Sequence, residues 1–156
     1  MNIVDIESED QLQDAYDIRL DVFVNEQEVP IEEEIDALDT DPTTFHSVAY
    51  DGEHAVGTGR VLGNPEHPGE AHIGRLAVRK SHRGTGLGAL MMGHLEGVAA
   101  AQYGVRDGDD LVVRVELSAQ EYAMGFYRRL GYEVVSGERY LDAGIWHQDM
   151  ARTVRV

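Results

Sequence analysis

Cysteine is absent from this 156-residue chain, and lysine almost so, with Lys80 standing alone beside twelve arginines. The first absence excludes a disulfide framework and thiol catalysis through a covalent cysteine intermediate. Long apolar runs are missing too, which excludes a membrane-spanning helix, and the opening MNIVDIESED has neither the basic start nor the apolar core of a signal peptide. A soluble, cytoplasmic protein without a membrane partner is therefore expected. Positive charge is scarce: 29 acidic residues face 13 basic ones, for a formal net charge of −16. Nucleic acid is excluded as a partner, because a phosphate backbone needs a basic footprint and the only local one is Arg75, Arg79, Lys80 and Arg83. Disorder, the other home of so much charge, is excluded by a 42% hydrophobic content in periodic segments. An acidic, lysine-poor surface around an ordinary core reads as adaptation to molar salt, and a haloarchaeal source is expected.

What remains is enough for one domain spanning residues 1–156, with a core that needs no staples and no linker or repeat to divide it. Ile3, Val4 and Ile6 mark a first strand, and Ser8 caps a helix running to about Val24 whose inward face carries Leu12, Ala15, Tyr16, Arg19 and Phe23. An acidic segment over residues 25–44 follows, with a short helix expected around residues 32–38. Residues 45–51 and 54–62 read as a hairpin, and residues 70–78 as a third antiparallel strand. A helix over about 86–103 is expected to bury Leu87, Leu90, Met91, Leu95 and Val98; a strand over 111–117, a helix carrying Ala123, Phe126, Tyr127 and Leu130, and two closing strands complete the pattern. The fold class is α/β: a mixed, mostly antiparallel sheet with helices on both faces and a splay between its two central strands.

The richest stretch is residues 73–100, where an apolar strand passes through a basic, glycine-rich turn into an amphipathic helix. Gly84, Gly86 and Gly88 let the backbone approach an anion, the helix start offers unpaired N–H groups, and Arg83 adds a forked cation suited to phosphate. Gly84, Gly86 and Ala89 also satisfy G-x-G-x-x-A, but Arg79–Arg83 separate them from the strand and too little chain follows for a full dinucleotide fold. A P-loop is excluded, since no Gly-Lys-Ser or Gly-Lys-Thr occurs.

Arg83, Gly86 and Gly88 resemble the R/Q-x-x-G-x-G/A signature of the GNAT acyltransferases, and LVVRVELSAQEYAMGFYRRLGY, residues 111–132, is similar to that family's next strand and helix. RLDVFVNEQEVP near the start and GIWHQDMAR near the end resemble its ElaA-type branch, so the resemblance covers nearly the whole chain. It implies acetyl-coenzyme A as co-substrate and an amine acceptor. The turn formed by Arg83, Gly84, Thr85, Gly86, Leu87, Gly88 and Ala89 would take the pyrophosphate, the backbone of Leu76, Ala77 and Val78 the pantetheine arm, and Gln120 would lie near the cofactor. Tyr127, which periodicity alone places on a core face, is implied as the acid for the departing thiolate.

Arg75 occupies the strand position where many relatives carry an acid, which leaves the base open among Glu26, Asp36, Glu116, His147 and a water chain. Glu26 and Asp36, in the acidic segment, are expected to contact a small cationic acceptor, with His147 facing them. The seven histidines form no i, i+4 pair, so no metal is expected. A homodimer is left open. The rival readings are a coenzyme A-binding sensor without chemistry and, more distantly, a nicotinamide oxidoreductase.

Overall fold

Ser8 opens the first helix as its spacing predicts. Its hydroxyl accepts from the Gln11 N–H at 3.2 Å, and α1 runs Glu9–Arg19 behind an acidic first turn. In the computed structural model, which describes residues 1–156, the helix then widens into a π-helical stretch, Leu20–Glu26, that ends where Glu28 turns to φ +61°. Ala15, Ile18, Arg19 and Val22 are buried, whereas Leu12, Tyr16 and Phe23 are half-buried. The single short helix expected over residues 32–38 is instead two turns, α2 at Ile31–Glu34 and a 3-10 turn at Ala37–Thr40, with Ile35 and Asp36 extended between them. Asp36 and Asp39 break it by capping the backbone of the turn: Asp36 accepts from the Leu38 N–H and Asp39 from the Asp36 N–H.

Eight strands form one sheet: β1 Asn2–Asp5, β2 Phe45–Asp51, β3 His54–Gly63, β4 Glu70–Val78, β5 Val105–Asp107, β6 Asp110–Gln120, β7 Glu133–Asp142 and β8 Ile145–Arg155. The spatial order is β1-β2-β3-β4-β6-β8-β7, with β5 also paired to β6, and every pairing is antiparallel except β4 with β6. Alternation along the strands sends Val48 and Ala77 to α1 on one face, and Ala49, Val61 and Ile73 to the main core on the other. That core is capped by α3, Leu87–Tyr103, and by the short α4, Met124–Arg129, which Gly131 stops at φ +96°.

Leu90, expected inside, is 62% exposed, and Met92 and Ala99 are buried instead. The reason lies in β3: α3 is pressed against glycines, and a Cβ at Gly59 would sit 2.5 Å from Leu95 Cδ1. The face centred on Met91 and Leu95 therefore meets the sheet, and Leu90 is turned away from it. No helix is long and apolar enough to cross a membrane.

Candidate active site

Two neighbouring strands part company in the middle of the sheet. β4 and β6 pair only through Glu70–Arg114, Ala71–Val115 and His72–Glu116, after which β6 continues alongside β8 as far as Gln120 and His147. A bulge turns β4 away: Arg60 faces Gly74 and Thr58 faces Ala77, so Gly59 alone stands opposite Arg75 and Leu76. Arg75 takes φ +54° there, a left-handed conformation uncommon outside glycine. The gap opens into a cleft of about 820 Å³, a size suited to a cofactor, and Leu76, Ala77 and Val78 form one wall of it.

At one end lies the glycine turn. Gly84 and Gly86 adopt φ +77° and +87°, and Gly86 caps α3 without a side-chain bond. The first helical N–H to find a backbone partner is that of Leu90, donating to the Gly86 carbonyl at 3.2 Å, so the N–H groups of Leu87, Gly88 and Ala89 remain free on the cleft wall. Unpaired donors at the positive end of a 17-residue helix make an anion site. Gly88 has a different task from its neighbours: a Cβ there would lie 3.2 Å from Phe126 Cζ, so its smallness lets α4 pack against α3. Thr85 is not on the wall, and its hydroxyl donates to the His82 carbonyl.

Arg83 stands at the turn with its fork engaged. Its two terminal nitrogens donate to the two Glu26 oxygens at 2.7 Å each, and Nε donates to the Val78 carbonyl at 2.9 Å. The Arg83 hydrogen bond also holds the Glu26 carboxyl below its ordinary range. This corrects the expectation for Glu26: the π-helical turn carries it to the cofactor end, where its charge is spent on Arg83 and not on an acceptor.

Midway along the cleft, α4 presents Tyr127, packed edge-on against Phe126 and Tyr132 at ring distances of 5.0 and 6.0 Å. Burial, with Tyr122 adding to it, pushes the Tyr127 phenol up to about 12. Across from it, His147 is 8% exposed and its Nδ1 lies 2.7 Å from the Ile145 carbonyl. A carbonyl only accepts, so Nδ1 carries a proton and Nε2 is the ring nitrogen left for another partner. The imidazole stacks on Tyr140, whose hydroxyl donates to Asp149 at 2.6 Å and is hydrogen-bonded to Ser118. Gln120, at the end of β6, donates from Nε2 to Gln27 at 2.8 Å, and its buried Oε1 has no partner. Glu116 is a second correction, since it pairs with Arg114 at 2.7 Å and does not reach the wall.

The far end is closed by an ion network. Arg19, 1% exposed, donates to Glu34 at 2.9 Å and to Asp39 at 2.7 and 3.1 Å. Arg60 donates to Asp39 at 2.8 Å and to both Asp36 oxygens at 2.8 and 3.0 Å, with Arg75 at 3.3 Å from Asp36. Burial opposes ionisation of Asp39, yet the Arg19 and Asp36 hydrogen bonds and both arginine charges hold it at about 2. Burial wins at Glu34, whose carboxyl is raised despite Arg75 and Arg19 beside it. Asp36 is the third correction: it is consumed by arginines and lies off the cleft wall. The clue to this network was in the sequence. Arg19 falls on the apolar face of α1, where a charge demands buried partners.

Comparison with known proteins agrees with this geometry. The profile of the Acetyltransferase (GNAT) domain family matches residues 7–154. The uncharacterised N-acetyltransferase YjcF of Bacillus subtilis is 41% identical over 152 residues, covering 97% of this chain and 99% of its own. Among solved structures, Escherichia coli ElaA superposes with a TM-score of 0.81 at 26% identity, covering 97% of this chain and 98% of its own. An acyl-CoA N-acyltransferase from Pseudomonas aeruginosa gives the same score at 30% identity with the same coverage. Matched along nearly its whole length in both sequence and backbone, the chain belongs to the GNAT acetyltransferase family, whose chemistry is acyl transfer from acyl-coenzyme A.

Proposed function

We propose that the protein moves an acetyl group from acetyl-coenzyme A directly to a primary amine while both substrates occupy the cleft. The observation that supports this reading is that Tyr127 and His147, two side chains able to exchange a proton, line one cleft with the glycine turn at its end. The chain has no cysteine, and Ser118, the serine on the cleft wall, has its hydroxyl tied to Tyr140, so neither a thiol nor a free serine hydroxyl stands ready to hold the acetyl group.

His147 Nε2 accepts the proton that the attacking nitrogen must lose. The exposed backbone edge of Leu76, Ala77 and Val78 supplies N–H donors to the pantetheine arm and to the oxygen that gains charge in the tetrahedral state. Tyr127, held at about 12, stays protonated at neutral pH. A thiolate, with an ordinary value near 8.5, is the weaker base, so the phenol keeps its proton and stabilises the departing sulfur by donating a hydrogen bond, and the released thiolate takes its proton from solvent. The acidic surface, at a net charge of −16, suits this chemistry to a salt-rich cytoplasm.

The test is an amine panel in high salt, following thiol release and identifying the acetylated product by mass spectrometry. Thiol release matched by acetylamine supports the assignment. Tight coenzyme A binding without release for any amine would replace it with the sensor reading.

A further inference from the structure

A cationic acceptor would need unengaged carboxylates, and the cleft does not provide them at Glu26 or Asp36. Both Asp36 oxygens accept from Arg60 at 2.8 and 3.0 Å, Glu34 Oε1 accepts from Arg19 at 2.9 Å, and Glu26 is closed onto Arg83. The far wall also carries guanidinium, in Arg60 and Arg75. Arg75 donates from Nη2 to the Glu33 carbonyl at 3.1 Å and more loosely to Asp36 at 3.3 Å, its Nε lies 3.5 Å from Glu34, and its Nη1 makes no hydrogen bond. Its Nε is buried without a hydrogen-bond partner, and so is that of Arg60, a residue only 5% exposed on the same wall. Those two Nε atoms are shut off from solvent, so the donor open to a ligand in the cleft is Arg75 Nη1, and a carboxylate is the ligand that meets it.

Charge counting permits such a ligand. Arg19, Arg60 and Arg75 balance Glu34, Asp36 and Asp39, so this end of the cleft is neutral in a protein otherwise strongly acidic. Glu33 and Asp142 also line the cleft, but both are exposed to solvent, where hydration and salt weaken their hold on a ligand. Arg75 directly precedes Leu76 and lines the same cleft as Tyr127 and His147.

Resting on the acyl-transfer reading above, we propose that the acceptor is an amino-acid-sized amine bearing a carboxylate, and that Arg75, backed by Arg60, binds that carboxylate and sets specificity. The probes are glycine, β-alanine and γ-aminobutyrate, each beside its methyl ester, with 1,3-diaminopropane as the cationic rival. Calorimetry on the coenzyme A-saturated protein reads binding without turnover, and thiol release reads kcat/KM.

For at least one chain length the acid should bind tenfold or more tightly than its ester. Arg75→Met should erase that ratio while coenzyme A affinity holds, which also shows that the variant is folded, and Arg75→Lys should restore part of it. Because wild type and variant meet the same pairs, intrinsic differences between acid and ester cancel. Equal binding of acid and ester, absence of binding by every acid, a ratio that survives in Arg75→Met, or tighter binding of the diamine would each overturn the proposal. Carboxylate-selective binding with no thiol release would instead leave this inference standing and remove the acyl-transfer reading.

Discussion

At the cofactor end of the cleft, the groups that meet a ligand belong to the main chain: the free N–H groups of Leu87, Gly88 and Ala89, delivered by a turn contiguous in sequence. At the far end they are the guanidinium groups of Arg60 and Arg75, from β3 and β4, held by carboxylates of the acidic segment between α1 and β2. The first site needs a few glycine dihedral angles and little else. The second exists only when the whole N-terminal half has folded around it. Damage at the turn should therefore remove the ligand and spare the fold, while damage in the network should cost stability before it touches chemistry.

Asp39→Asn is expected to have the largest effect. Removing one partner from a buried ion network leaves charges uncompensated and typically costs about 3–5 kcal/mol, to be read as a fall in the denaturant midpoint at neutral pH. The same residue gives a pH signature. Its folded value of about 2 lies below the ordinary 3.8, so its contribution is complete above about pH 4 and is lost as pH falls through 2. The Asn variant should lack that part of the acid dependence.

Gly86→Val comes next and runs the opposite way. Nothing lies within 4 Å of a Cβ at Gly86, so the side chain meets no protein atom, but φ +87° is forbidding for a β-branched residue and the turn is where an anion approaches. Coenzyme A affinity should fall by about 100-fold or more in calorimetry while the melting temperature shifts by only a few degrees. If binding persisted, or if the variant failed to fold, the contrast between the two ends would collapse.

Tyr127→Phe should lower kcat by about 10²-fold with little change in coenzyme A affinity, because the ring and its packing remain. A wild-type rate would make the tyrosine purely structural. The smallest effect is expected of Glu26→Gln. Freed from its bidentate partner, Arg83 should meet phosphate more readily and tighten coenzyme A binding several-fold, with the gain shrinking as salt is raised. Weaker binding would mean that Glu26 positions Arg83 instead of competing for it.

The same contrast explains what was legible in the sequence. Features written in neighbouring residues could be read directly: the Ser8 cap, the strand borders at Phe45–Asp51 and Glu70–Val78, and the glycine turn into α3. The splay could be anticipated from a helix lying between two apolar strands. The partners of Glu26 and Asp36 could not, because Arg83 is 57 residues from one and Arg60 24 from the other, and nothing local distinguishes a carboxylate facing a ligand from one facing an arginine. β5 and the π-helical turn were hidden for a related reason. Three exposed residues carry no period, and the π turn differs from an α-helix only in its hydrogen-bond reach. Tyr140 became visible only through register, since it is the pairing of β7 with β8 that sets it beside His147.

The central claim is that both substrates occupy the parted strands together and the acetyl group passes between them directly. Initial rates measured while acetyl-coenzyme A and one productive amine are varied in turn address it most simply. Double-reciprocal lines that intersect are the predicted result, because each substrate is needed for the complex in which His147 and Tyr127 act. Parallel lines, accompanied by an acetylated protein in the absence of amine, would contradict the account and require a covalent acetyl-enzyme.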